Sequence, residues 1–152
     1  MPFPPHSQYE SAALPEQEGA VAGLDPGRAK CGLVLSDPGR RSIVRALVLP
    51  PETAWSVLRD WHGCQGLAAV VIGDGTGGRP WHDRLTPLLP LAVVDEHGTT
   101  LAARRRYWEL FPARGWRRLV PEGLRQPPRD WDDVVAQLLL ERWLGRRLDR
   151  RG

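Results

Sequence analysis

Leu67 to Ile72 is an unbroken apolar run that ends abruptly at Gly73-Asp74-Gly75. A strand with no polar alternation needs cover on both faces, so this run demands a sheet with helices above and below it. Leu91 to Val94 repeats the pattern and ends at Asp95-Glu96. Ahead of them stand three more short apolar runs, Val21 to Asp25, Cys31 to Ser36 and Ser42 to Leu49. Asp25-Pro26-Gly27 and Asp37-Pro38-Gly39 follow the first two as strong turn signals, which predicts an antiparallel meander.

Helical periods fill the gaps. Apolar residues at 54, 55, 57, 58 and 61 predict a helix over Glu52 to Trp61, and residues 79–86 fit a short one. Thr99 or Thr100 suits the cap of a helix running to about Leu110. Pro112, Gly115, Pro121, Gly123, Pro127 and Pro128 leave no regular element across 111–130, a loop long enough to suggest a functional role. Asp130 to Leu148 reads as the last helix, with Val134, Val135, Leu138, Leu139 and Trp143 on its apolar face. The order β-β-β-α-β-α-β-α-α predicts an α/β fold, a five-stranded mixed sheet with helices on both faces.

The 152 residues suffice for one core. Residues 1–19 mix Pro, Ser, Glu and Gln without an apolar period and read as a disordered leader, residues 20–148 as the domain, and 149–152 as a basic tail. No apolar run approaches the roughly 18 residues of a membrane span, so no membrane partner is expected. Without a visible secretory signal and with two cysteines, a cytoplasmic location is the expectation.

Acidic residues stand at the element ends. Asp25 closes the first strand, Asp74 follows the fourth, Asp95-Glu96 ends the fifth, and Asp132-Asp133 opens the last helix. If the first, fourth and fifth strands run parallel, their ends share one sheet edge, where ligand sites of α/β folds form. Carboxylates gathered there repel one another unless a cation lies between them, and an all-oxygen set suits Mg²⁺ or Mn²⁺. Such ions serve phosphodiester hydrolysis. Most of these residues also have an ordinary structural role, Asp25 and Asp74 as turn formers and Asp132 or Asp133 as a helix cap, whereas Glu96, directly after the buried run Leu91 to Val94, has none so simple.

Charge is unevenly spread. Residues 1–96 hold 8 Lys and Arg against 11 Asp and Glu, whereas residues 97–152 hold 13 against 7. An anionic partner for the second half is one reading, and Arg-rich composition is the other, since 20 of the 21 basic residues are Arg. Within 104–129, Arg104, Arg105, Arg106, Arg114, Arg117, Arg118, Arg125 and Arg129 accompany Trp108 and Trp116. Arg pairs with phosphate through a rigid fork, and an exposed indole stacks on an unpaired base. Core packing is the preferred role for Trp108, and for Trp116 stacking and packing are balanced. Arg28 and Thr99 join Arg104, Arg105, Arg114, Arg117 and Arg118 as candidate nucleic-acid contacts. The cysteines and histidines show no zinc spacing.

GLDPGRAKCGLVLSD resembles the first hairpin of the YqgF family, relatives of the RuvC-type resolvases with a ribonuclease H-like fold. The similarity continues through VVIGDGTGG, VVDEHGTTLAARRRYWELFP and PPRDWDDVVAQLLLERWL, in the family's order, over about residues 20 to 144. The Arg-Tyr-Trp-Glu-Leu segment and the Pro-rich loop look most like the cyanobacterial branch. The resemblance implies that Asp25, Glu96 and an acidic residue opening the last helix bind the metal. Asp132 aligns best as the third, with Asp133 as the fallback. It also implies 5′ maturation of pre-16S rRNA, or cleavage of branched DNA such as a Holliday junction, by a monomer or a homodimer. A nucleic-acid-binding protein with a vestigial site is the alternative from another class. The chain departs from the family pattern at His97, where the family usually has Arg, and at Gly73-Asp74-Gly75, where many relatives have a Leu-Pro segment, which leaves Asp74 as a candidate extra ligand.

Overall fold

The computed structural model describes residues 19–151, so most of the proposed leader, and Gly152, lie outside the described residues. Strands β1 (Val21–Asp25), β2 (Cys31–Ser36) and β3 (Ser42–Leu49) come first, then helix α1 (Pro51–Gln65) and β4 (Ala69–Gly73). A 3₁₀ turn at Thr76–Gly78 leads into α2 (Arg79–Leu85), β5 (Leu91–Val94) and α3 (Thr99–Leu110). Two 3₁₀ turns, Gly115–Leu119 and Glu122–Leu124, precede α4 (Asp132–Leu144) and a two-residue β6 (Asp149–Arg150).

The sheet order is β5-β4-β1-β2-β3-β6. β1, β2 and β3 pair antiparallel, while β4 runs parallel to β1 and β5 parallel to β4. The first five strands thus follow the ribonuclease H-like order, and the C-terminal ends of β1, β4 and β5 meet at one edge. Both faces are covered, which is why the β4 run needs no polar alternation. Ala22, Leu24, Val70 and Ile72 pack with Ala54, Leu58 and Trp61 of α1 and Trp81 and Leu85 of α2. On the other face Val21, Val34, Val71 and Ala92 pack with Ala136, Leu139 and Leu140 of α4. α3 forms a further layer, with Ala103, Tyr107 and Trp108 against Val134 and Val135. Burying each such Leu or Val contributes about 1.5–3 kcal/mol, so α4, buried on two sides, is the most firmly seated helix.

Several boundaries differ from expectation. The sheet has six strands, because Ser42 pairs with Asp149 and Ile43 with Arg150 in the residues expected to form a tail. α4 begins at Asp132 rather than Asp130 and stops at Gly145, whose φ of 73° is left-handed. α1 runs four residues beyond Trp61, and the 111–130 loop contains two short 3₁₀ turns. Neither Thr99 nor Thr100 caps α3; Gly98 does, at φ 73°, and the Thr99 hydroxyl donates back to the Glu96 carbonyl at 2.6 Å. Among the described residues no helix is long and apolar enough to cross a membrane.

Candidate active site

Asp25, Asp74, Asp95 and Glu96 line an open recess of about 410 Å³ at the sheet edge, together with His97, Thr99 and Thr100. The strand ends deliver these carboxylates. β1 ends at Asp25, β4 runs into Asp74, and β5 into Asp95 and Glu96. The Asp74 side chain accepts the Glu96 amide at 3.1 Å, and the Asp95 side chain accepts the His97 amide at 2.9 Å, so the β5–α3 turn is fixed by its own acids. Arg142 of α4 donates to the Asp95 carbonyl at 2.7 Å and ties that turn to the helix. Glu96 lies over Gly73 and Gly75, where a Cβ would collide with its carboxylate.

Asp132 arrives from the first turn of α4. Gly32 is paired with Asp25 across β1 and β2, and a Cβ at Gly32 would overlap the Asp132 carbonyl. The missing side chain lets the start of α4 settle against the sheet beside Asp25. Burial pushes the Asp25 carboxyl up to about 7, with the charges of Asp132 and then Glu96 adding to the effect. Burial also raises the Glu96 carboxyl, helped by Asp74 and Asp95 and opposed by the Gly75 amide. Asp132 is raised by burial and then by Asp130. Among the described residues none of these three carboxylates sits in an ion pair. Their donor set and mutual repulsion fit a hard divalent cation, which would relieve both. As they stand, no three acidic, His or Cys side chains among the described residues converge on a single point. The match to a metal therefore lies in chemistry and charge, not in a closed coordination sphere.

Asp133 is placed elsewhere. It is 2% exposed and accepts Arg129 Nη1 at 2.9 Å and Arg150 Nη1 at 3.0 Å, which hold its carboxyl below the ordinary range although burial pushes the other way. Arg150 Nε reaches Gln137 at 2.8 Å, and Gln137 and Arg106 both donate to Glu141. Asp133, Gln137 and Glu141 thus form a buried polar stripe along α4, bridged to β6 at one end and α3 at the other. Its i, i+4 spacing on an otherwise apolar helix was a readable signal that apolar patterning alone overlooks.

The arginine surface divides accordingly. Arg106 is buried against Glu141, and Arg104 donates to the Gly123 and Arg125 carbonyls, so both serve the fold. Arg125 donates to the Arg117 and Val120 carbonyls, and Arg129 to Asp133. Arg28, Arg105, Arg114 and Arg118 are exposed. Arg117 lies over the Trp116 ring at 5.0 Å, and Trp116 is 67% exposed, whereas Trp108 is buried. Thr99 is 3% exposed and committed to Glu96, which makes it a turn residue rather than a free phosphate donor.

A protein of Coxiella burnetii (strain CbuK_Q154) named "Putative pre-16S rRNA nuclease" is 38% identical, over 86% of this chain and 96% of its own length. The chain belongs to the YqgF family of nucleases. A second YqgF relative of the same name, from Roseiflexus sp. (strain RS-1), is 30% identical over 86% of this chain and 97% of its own. No protein-family model matches the chain. Among solved structures, T. thermophilus RuvC in complex with a Holliday junction substrate aligns at TM-score 0.48 and 17% identity, over 84% of this chain and 94% of that one. Among the described residues of this YqgF chain, Asp25, Glu96 and Asp132 are the three whose carboxyls are raised, by burial first and by neighbouring carboxylates second.

Proposed function

We propose that this chain is a divalent-metal-dependent nuclease that hydrolyses phosphodiester bonds in structured RNA, acting at the 5′ end of pre-16S rRNA. The observation that carries the reading is the group Asp25, Glu96 and Asp132, with Asp25 raised to about 7 by burial and by the other two. In this reading those three residues hold Mg²⁺ or Mn²⁺. The bound ion supplies an activated water and charge stabilisation at the leaving oxygen. Arg28, three residues after Asp25 in the β1–β2 turn, and the exposed Arg105 of α3 bind backbone phosphates as forked donors. Asp74 keeps Glu96 in place through its amide, and the Asp133 ion pairs keep the start of α4, and so Asp132, against the sheet.

The test is incubation of the purified chain with a pre-16S rRNA 5′ fragment and, separately, a four-way DNA junction, with Mg²⁺, Mn²⁺ or chelator. Metal-dependent cleavage of the RNA that Asp25→Asn abolishes supports the reading. Cleavage of the junction alone moves the substrate to branched DNA, and binding without cleavage leaves a nucleic-acid-binding protein.

A further inference from the structure

The end of β1 borders a second recess on the α1 and α2 side of the sheet. It encloses about 480 Å³, with Pro26, Arg28, Pro51, Gly77, Trp81 and Arg84 among its walls. We infer that this recess is a nucleobase slot, which takes an unpaired base of the substrate strand beside the phosphate presented to Asp25. The inference rests on the nuclease reading above and adds to it a site for a specific part of the substrate.

Shape, chemistry and continuity point the same way. The volume falls in the roughly 300–1,000 Å³ range of small-molecule clefts. Pro26, Pro51 and Pro80, backed by the largely buried Trp81, make apolar walls, suited to the faces of a flat heterocycle and ill suited to a phosphate alone. One wall is prebuilt: Arg84 forks onto Glu52 at 3.0 and 3.3 Å and lies 4.1 Å over the Trp55 ring. That pairing neutralises Glu52, the acidic group at the recess, so it does not repel a polyanion. Arg28 remains as an exposed cation at the rim, with no protein partner among the described residues. Pro26 is bonded directly to Asp25, so the lining of the slot begins one residue from that of the acidic recess. Arg28 complements the backbone phosphate and the apolar walls complement the base.

Gly77 provides the means of testing it. A Cβ there has one neighbour within 4 Å, the Pro26 carbonyl at 3.7 Å, so a side chain can start from this position and Gly77→Leu is the variant chosen to fill the recess. Binding is measured by fluorescence anisotropy on single-stranded RNA oligonucleotides spanning the cleaved bond, with Ca²⁺ in place of Mg²⁺. Each base in turn is replaced by an abasic ribose. Wild type is expected to lose roughly tenfold in affinity at one position of the series, the size of one base-stacking contact. Gly77→Leu, checked for folding by circular dichroism, should lose the same factor on intact RNA and become indifferent to that abasic position. Arg28→Ala should weaken binding to every oligonucleotide, flatten the salt dependence by about one unit of slope, and keep the abasic response. A flat wild-type series, or a folded Gly77→Leu that retains the abasic response, overturns the slot. If wild type cleaves the RNA with a flat series, the slot alone falls; if it neither binds nor cleaves RNA, the nuclease reading falls with it.

Discussion

Gly32 and Asp132 meet where no side chain fits between them: the Asp132 carbonyl occupies the space that a Cβ on Gly32 would take. Because Gly32 is paired with Asp25, this contact brings the start of α4 to the end of β1. Gly32→Ala should push α4 outward. The expected cost is roughly 1–3 kcal/mol of stability, as for other overpacked sites, together with loss of cleavage. Thermal unfolding and a nuclease assay on the same preparation check both; an active, fully stable variant would remove the contact as the determinant of the site.

Asp25→Asn should abolish cleavage and, at alkaline pH, stabilise the fold. The Asp25 carboxyl stands at about 7, above its ordinary 3.8, so the native chain holds a proton that the unfolded chain has released. Stability therefore falls as pH rises from about 4 through 7, and the penalty is fully present above 7. With its partial exposure to solvent screening it, the penalty is on the order of 1–2 kcal/mol. Without metal the variant should melt several degrees above wild type at pH 8 and level with it at pH 4. Mg²⁺ should raise the melting temperature of wild type at pH 8 and leave the variant unmoved. Identical melting curves at both pH values would contradict the burial of Asp25.

Neighbouring aspartates should fail in different ways. Asp132→Ala should remove cleavage with little change in stability. Asp133→Ala leaves Arg129 and Arg150 without their shared acceptor, and breaking such a buried pair costs on the order of 3 kcal/mol. Its activity loss should follow its unfolding and recover at low temperature. A stable, inactive Asp133→Ala protein would reverse the assignment.

The arginines should divide as their partners do. Arg105→Ala and Arg118→Ala should weaken RNA binding and reduce the salt slope by about one each, with no change in melting temperature. Arg106→Ala should lower the melting temperature, because it strands Glu141 in the interior. A salt series on all three variants, with melting curves alongside, separates the two behaviours.

The strands and the acids at their ends were legible because apolar runs and turn residues are local signals. Leu67 to Ile72 needed both faces covered, and α1, α2 and α4 cover them. β6 was not legible, since a two-residue strand of Asp149 and Arg150 carries no period and forms only because β3 is there to pair with. The end of α4 was marked by Gly145, yet the apolar Leu148 beyond it extended the apparent helix; Leu148 is instead buried, with its amide on Glu141 at 2.7 Å. The split between Asp132 and Asp133 depends on Arg150, 17 residues beyond Asp133 in the chain, and no spacing rule reaches that far. Charge counting treated the arginines alike because composition does not register which guanidinium already has an acceptor.

The buried stripe on α4 gives the molecule two separate responses to acid. Arg129 and Arg150 hold the Asp133 carboxyl below the ordinary carboxylate range, whereas the raised Asp25, Glu96 and Asp132 take up protons at higher pH. As pH falls from neutrality, the cluster at the sheet edge discharges first, while the anchor of α4 keeps its ions. Mild acid thus changes the charge of the sheet edge while the ion pairs that anchor the start of α4 stay in place.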